Sequence, residues 1–181
     1  YSQSVQMVHK QQIIHLSKIM AQKTKTEEKV VLFLTSQKDA KSHELAESIK
    51  QLVSSENRKI AIVDADWTFD ENREGFENVC DLLADGKTPL NEQEILERMD
   101  RLKKNHDLVI VVVAPTNLIA DYRFWLEHYQ NVVYIYRTGP VWTKLDARFE
   151  HFLLNSPINL IGTVLNNIEV EQMEDFIGDV P

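Results

Sequence analysis

The stretch LVIVVVA, residues 108–114, is the most apolar segment of the chain and decides its fold class. Its side chains are apolar throughout rather than at every second position, which predicts a strand buried on both faces. The runs VVLFLT (30–35) and KIAIVDAD (59–66) have the same character, and further strands are predicted at 131–138 and 159–167. Because such strands need cover on each face, the pattern predicts a sheet between two layers of helices.

Segments with helical spacing alternate with these strands. Helices are predicted at 39–56, 75–86, 91–107, 120–129 and 143–156, with a further amphipathic helix at 5–22. This alternation predicts an α/β fold of three layers, with a mainly parallel sheet flanked by helices. We assign residues 1–27 to an N-terminal amphipathic helix and linker, and residues 28–181 to the α/β domain.

Composition excludes several classes of function. The net charge of −8 over 181 residues argues against a general affinity for nucleic acid or anionic membrane. The single cysteine, Cys80, allows no internal disulfide, so a reducing compartment and a buried structural thiol are expected. No run reaches the roughly 20 apolar residues of a membrane span, and no signal peptide is predicted. Since the chain begins with Tyr1, a piece of a longer protein is expected.

The connection TSQKDAKSH, residues 35–43, lies where a phosphate-binding loop follows the first strand of a nucleotide-binding sheet. It keeps the Lys41-Ser42 pair but has no glycine, and Asp39 adds a negative charge. Non-glycine residues make a left-handed phosphate cradle costly. Two interpretations remain open, a working phosphate cradle and, favoured, a plain strand–helix connection capped by Ser36 or Asp39.

Acidic side chains follow the second predicted strand. Asp64 and Asp66 are candidates for a cation site, although acids that cap the following turn are the favoured interpretation. The remaining candidates for metal ligands are histidines far apart in sequence, without metal-ligand spacing: His106, His128 and His151. We therefore predict no metal site and no catalytic residue.

An ordered set of motifs resembles the cytoplasmic domain of bacterial tyrosine kinases (BY-kinases). The set is VVLFLTS…KS, KIAIVDADW, GFENVCDLLADGKTPL, HDLVIVVVAP, YRTGPVWTKL and INLIGTVLNNIE, over about residues 28 to 170. The resemblance implies a P-loop NTPase-like fold of the deviant class that also holds the MinD and ParA ATPases. It also implies the cytoplasmic face of the bacterial inner membrane, as a soluble domain of a longer membrane protein or as its partner. The partners that it implies are proteins of polysaccharide synthesis and export.

This sequence departs from the BY-kinase pattern at the positions that carry the chemistry. Asp64 and Asp66 match the acids of the family's second motif, but Thr68 replaces its arginine. Val112 stands where the family has the magnesium-side Asp, and a Val side chain cannot hold a magnesium-bound water. The last tyrosine is Tyr136, inside a predicted strand, so the family's C-terminal tyrosine cluster is missing.

The resemblance and these departures together predict a catalytically inactive domain that acts as a binding and assembly module, with no cofactor. Lys41, Ser42, Asp64 and Asp66 are then remnants of a nucleotide site. One alternative is a tyrosine autokinase or ATPase that still binds ATP and Mg through an altered loop. A second alternative is a MinD- or ParA-like positioning protein.

Aromatic residues and an arginine are the candidates for a protein interface. We expect Trp125, Tyr129 and Trp142 to be exposed or half-exposed, with Arg137 beside them. The alternative is that both tryptophans belong to the core. A homo-oligomer is possible, and no nucleic-acid partner is expected.

Overall fold

The computed structural model describes residues 2–23, 28–36, 41–54, 57–65, 77–78, 91–113, 119–137 and 143–166. The helices are α1 (Ser2–Lys23), α2 (Ser42–Ser54), α3 (Glu92–Asn105), α4 (Ile119–His128) and α5 (Lys144–Leu154). The strands are β1 (Val30–Leu34), β2 (Ile60–Asp64), β3 (Glu77–Asn78), β4 (Leu108–Val112), β5 (Asn131–Arg137) and β6 (Asn159–Asn166).

The strands form one parallel sheet in the order β3-β2-β4-β1-β5-β6. One face carries a core shared with α3, α4 and α5, and the other face carries a core shared with α1 and α2. The three-layer α/β fold that the sequence predicts is therefore confirmed.

The central strands are apolar because both of their faces are covered. All five residues of β1, of β2 and of β4 are buried. In β2 this includes Asp64, the one charged residue of these three strands. A strand buried on both faces gains apolar burial at every position, which explains why alternation is absent here.

The predicted helix at 75–86 is wrong at Glu77 and Asn78, which form strand β3. Val63 pairs with Glu77 and Asp64 with Asn78, so β3 adds a sixth strand at the edge of β2. Pairing with β3 satisfies backbone hydrogen-bonding groups that β2 would otherwise leave without partners along this edge. The free energy gained by this pairing outweighs the helical preference that the spacing of a few apolar residues indicates. Cys80 lies outside the described residues.

Helix α1 packs by the apolar stripe that the sequence predicts. Ile13, Leu16 and Met20 are buried in the same core as α2, while His15 is exposed. The positions differ by three and four residues, which is the spacing of one helical face.

Two helices begin with reciprocal capping. At α3 the Asn91 side chain accepts from the Glu94 amide, and the Glu94 carboxylate accepts from the Asn91 amide. Thr143 and Asp146 make the same arrangement at α5. Each capping box satisfies two amides that the first helical turn leaves without partners, so the starts of α3 and α5 are encoded locally.

The aromatic residues of helix α4 are buried, although the sequence analysis expected them to be exposed or half-exposed. Trp125 is 0% exposed and Tyr129 is 5% exposed, so the expectation of an exposed interface at these residues is wrong. Their rings stack on each other at 6.2 Å within the α3–α4–α5 core. The spacing of Tyr122, Trp125 and Tyr129 places all three on the inner face of α4. For Trp125 the alternative, a core residue, is confirmed.

Burial of Tyr129 predicts how the stability of the domain changes with pH in alkaline solution. Burial, helped by the nearby Asp100 charge, raises the pKa of Tyr129 to about 12 from the ordinary value of 10.0. The unfolded chain then releases this proton at lower pH than the folded chain, so stability falls as pH rises from about 10 to about 12. We expect Tyr129→Phe to flatten that part of the stability curve in urea unfolding at pH 9 to 12. A curve as steep as that of the unchanged chain would contradict the assignment.

Candidate functional site

The carboxyl ends of the parallel strands meet at one edge of the sheet, where ligands of such folds usually bind. Ser36 follows β1 there, Asp64 ends β2 and Val113 follows β4. The strand ends are joined by the backbone, since Ala65 donates to the Val112 carbonyl at 2.9 Å and Val113 to the Phe33 carbonyl at 3.1 Å. The helices α2 and α5 begin at this same edge.

Lys41 and Ser42 form the start of α2. Lys41 has a φ of 52°, in the left-handed region, and its carbonyl accepts the first helical bond, from the Leu45 amide at 3.1 Å. Ser42 is 6% exposed, and its hydroxyl has no hydrogen-bond partner among the described residues. A left-handed non-glycine residue and a buried, unsatisfied hydroxyl each cost free energy, about 1–3 kcal/mol.

Asp64 is engaged by a residue that the sequence did not single out. His43 Nε2 lies 3.3 Å from the Asp64 carboxylate, and both side chains are largely buried. The contact joins the first turn of α2 to the end of β2. Asp64 therefore lies at the carboxyl edge of the sheet, as the sequence predicts. Asp66 lies outside the described residues.

A second polar cluster joins β1, β5 and α5. Ser36 donates to Asp146 Oδ1 at 2.7 Å, and the Tyr134 hydroxyl is 2.9 Å from the Ser36 hydroxyl. Thr143 donates to Asp146 Oδ2 from both its amide, at 2.8 Å, and its hydroxyl, at 2.6 Å. The prediction that Ser36 caps α2 is therefore wrong, because its hydroxyl turns to α5 instead. Asp39, the other predicted cap, lies outside the described residues.

Asp146 is an ionised carboxylate held by these donors. Burial alone would raise its pKa, but the hydrogen bonds from Thr143 and Ser36 outweigh burial and lower the pKa of Asp146 below its ordinary value. Burial also raises the pKa of Tyr134, which therefore stays a neutral hydroxyl beside Ser36. The cluster thus places one full negative charge within a hydrogen bond of Ser36.

Tyr136 extends this cluster toward α5. It lies in β5, as predicted, and its hydroxyl donates to Glu150 at 3.3 Å. Its ring contacts that of Tyr134 at 4.3 Å, edge to face. Burial, with the neighbouring Tyr134 and Glu150, raises the pKa of Tyr136.

Sequence reasoning missed this cluster, although half of it has a local signal. The pattern TKLD at 143–146 is a capping-box motif and could have shown that Asp146 faces the start of its helix. The bond between Ser36 and Asp146 joins residues 110 positions apart, and no spacing in the sequence indicates it.

The described side chains do not complete a magnesium site. Val112, at the predicted magnesium-side position, is buried, and its side chain offers no ligand atom. The described part of the chain contains no group of three His, Cys, Asp or Glu side chains that could hold a metal ion. Asp107 lies at the opposite end of β4, where its carboxylate accepts from the Lys59 amide at 2.8 Å. The buried, unpartnered hydroxyl of Ser42 is a described feature that suits a nucleotide–metal complex.

Arg137 and Trp142 are the remaining candidates for a protein interface. The backbone of Arg137 ends β5 at the carboxyl edge. Trp142 and the side chain of Arg137 lie outside the described residues, so their role in an interface stays a prediction. A groove of about 550 Å³ runs along α5, lined by Ala147, Arg148, His151, Phe152, Asn155 and Ser156.

Neither protein-family models nor curated proteins match the sequence. Solved structures do match. The kinase domain of the Escherichia coli tyrosine kinase ETK has 18% identity and a TM-score of 0.64, over 84% of this chain and 72% of that one. The chimerical protein CapA2B2 has 17% identity and a TM-score of 0.66, over 84% and 81%. The BceF tyrosine kinase domain has 15% identity and a TM-score of 0.64, over 87% and 75%.

The sheet, its helix layers and the polar carboxyl edge define a three-layer α/β domain with a parallel sheet. Within that class, the chain has the fold of the bacterial tyrosine kinase domains. The resemblance predicted from the sequence motifs is therefore confirmed at the level of the fold.

Proposed function

We propose that this domain is a catalytically inactive BY-kinase-like domain that acts as a binding and assembly module in bacterial exopolysaccharide or capsule synthesis and export. The observation that carries the proposal is the hydrogen bond from Ser36 to the ionised carboxylate of Asp146. Ser36 opens the connection that corresponds, by resemblance, to the phosphate-binding loop of the active kinases.

A carboxylate at this place opposes phosphate binding. Two like charges 4–8 Å apart repel by about 2–4 kcal/mol at an effective dielectric constant of about 20. A phosphate loop offsets such repulsion with several amides curled around the anion, which glycines make possible. The connection 35–43 has no glycine, so fewer backbone amides can stabilise the charge of a phosphate group there. The Asp146 carboxylate adds a repulsion that opposes that charge.

The magnesium side of the edge supports the same proposal. Asp64 is engaged by His43 at 3.3 Å. The side chain of Val112 offers no oxygen where the resemblance places a carboxylate, and the Val112 carbonyl already accepts from the Ala65 amide. Phosphoryl transfer depends on metal and cationic groups that stabilise the charge of the transferring phosphoryl group, and the described residues provide little of either.

The proposed partners and location rest on the resemblance to BY-kinases. We place the domain at the cytoplasmic face of the bacterial inner membrane, in contact with membrane proteins of polysaccharide chain-length control. In the described part of the chain, no helix has both the length and the hydropathy of a membrane span. Arg137 and Trp142 are the candidate contact residues.

A nucleotide-binding measurement tests the proposal. We expect isothermal calorimetry of the purified chain with Mg-ATP to show no saturable heat up to about 0.5 mM nucleotide. The same titration of an active BY-kinase domain serves as the positive reference. Mass spectrometry after incubation with Mg-ATP should find no phosphotyrosine.

The variant Lys41→Ala separates site binding from unspecific heat. Lys41 is exposed, so the substitution leaves the core intact. Micromolar binding that Lys41→Ala removes, or stoichiometric phosphate on any tyrosine, would overturn the inactive assignment.

A cellular measurement tests the assembly role. In the bacterium that carries this gene, deleting the domain should change the chain length or the amount of exported polysaccharide. Lys41→Ala should leave both unchanged, because the proposed role needs no nucleotide. If the deletion has no effect, the assembly role is wrong even where the calorimetric result holds.

A second candidate function is an ATPase or autokinase with an altered loop, acting through Lys41, Ser42 and Asp66. The buried Ser42 hydroxyl favours it, because an orphaned hydroxyl at this position suits a metal-bound nucleotide. The same calorimetry with Ser42→Ala decides it. This function requires saturable heat that Ser42→Ala weakens at least tenfold.

A further inference from the structure

One edge of β6 is paired with no other described strand. β6 is an end strand of the sheet, and β5 is its one partner among the described strands. After an irregularity beside Val132 and Val133, residues 162–166 pair with 133–137 in continuous register. No other described strand pairs with the outer side of this run, whose backbone donors and acceptors are of the kind that can pair with another strand.

The same strand carries exposed apolar side chains. Leu160 is 41% exposed and Leu165 is 40% exposed. Their partners in register, Val132 and Tyr136, face the α5 side of the sheet, so the two leucines share that face. Leu154, at the end of α5, is 71% exposed. We call β6 with these three leucines the β6 edge.

Charge identifies the partner that suits this edge. Strands at the edge of a sheet usually carry Lys or other charges that prevent pairing between chains. β6 has the sequence NLIGTVLN, with no charged residue, in a chain that is 27% charged with a net charge of −8. Two copies of this acidic chain repel each other least where neither has a charge. A basic or acidic partner would find nothing on β6 to pair with.

We propose that the β6 edge is a homodimer surface, where β6 of one copy pairs with β6 of a second copy about a two-fold axis. Such a contact is isologous, because the same strand and the same leucines meet from both sides. It is independent of the proposed function, since it lies on the end strand and needs no nucleotide. The edge is small, so the dimer belongs to the weak, transient class of interfaces.

Sedimentation equilibrium of the full chain tests the proposal. One chain has a mass of 21.0 kDa. We expect the average mass to rise toward twice that value between 5 and 200 μM. The double variant Thr163→Lys and Leu165→Lys should weaken the dimer at least tenfold. The matched control is Gln93→Lys with Asn105→Lys, two exposed neutral positions on α3 with the same change in charge. It should dimerise like the unchanged chain.

Hydrogen exchange of the unchanged chain gives a second readout that needs no variant. The amides of residues 162–166 should exchange more slowly at 200 μM than at 5 μM, while those of α3 should not change. A monomer at every concentration would overturn the proposal. So would a dimer that the β6 variants leave intact, or one whose concentration-dependent protection lies elsewhere.

Discussion

Trp125→Ala is expected to destabilise the domain by about 3–5 kcal/mol, the usual cost of removing a fully buried large aromatic side chain. The residue is 0% exposed and contacts the rings of Phe124 and Tyr129. Since a domain is stable by only about 5–15 kcal/mol, this loss removes a large part of its stability and should shift the urea midpoint strongly downward. Urea unfolding followed by circular dichroism measures the loss.

Two further variants make this result specific. Trp125→Phe keeps most of the buried area and removes the indole Nε1, which is buried without a partner in the described structure. It should therefore cost less than half as much as the alanine substitution. Glu127→Ala, exposed on the same helix, should stay within about 0.5 kcal/mol of the unchanged chain. If Trp125→Ala is as stable as Glu127→Ala, the assignment of Trp125 to the core is wrong.

Asp146→Ala is expected to cost about 2–4 kcal/mol, because it removes the N3 half of the α5 capping box and the charge-assisted bonds from Ser36 and Thr143 together. Asp146→Asn keeps the shape of the side chain but not its charge, and should cost about half as much. Urea unfolding at pH 7 measures both. The control Asp100→Asn removes an exposed carboxylate on α3 and should be nearly neutral.

The pH dependence provides a second test of Asp146. Its folded pKa lies below the ordinary value, so the unfolded chain binds the proton more readily. Its contribution to stability is therefore complete above about pH 5 and is lost as pH falls through the folded pKa. Between pH 5 and 2 the Asp146→Asn variant should lose less stability than the unchanged chain. Parallel curves for the two proteins would contradict an ionised, hydrogen-bonded Asp146.

These results bear on the proposed function in different ways. A destabilised Trp125→Ala variant would lose any partner through unfolding, so it cannot map an interface. Asp146→Asn tests the charge beside the loop directly, because it removes that charge while Lys41 and Ser42 remain. Repeating the Mg-ATP titration on this variant tests how much of the proposed exclusion of phosphate depends on Asp146.

The sequence by itself determined the architecture. The buried strands β1, β2 and β4 are apolar at every position except Asp64, and only a sheet covered on both faces buries all of those side chains. Helical stripes such as Ile13, Leu16 and Met20 are equally local, since three- and four-residue spacing places them on one face. The sequence also indicated the carboxyl edge as the candidate site, because parallel strands bring their ends together there.

Tertiary structure decided what the edge contains. Ser36 meets Asp146 only because β1 and β5 are neighbours in the sheet, and Asp64 meets His43 only because α2 begins beside the end of β2. Glu77 and Asn78 became a strand because β2 had an edge to pair. Trp125 and Tyr129 were placed inside because α4 packs that face on the sheet. Each outcome depends on contacts between residues that are distant in the chain. The spacing of residues within a short segment does not show how much free energy those contacts contribute.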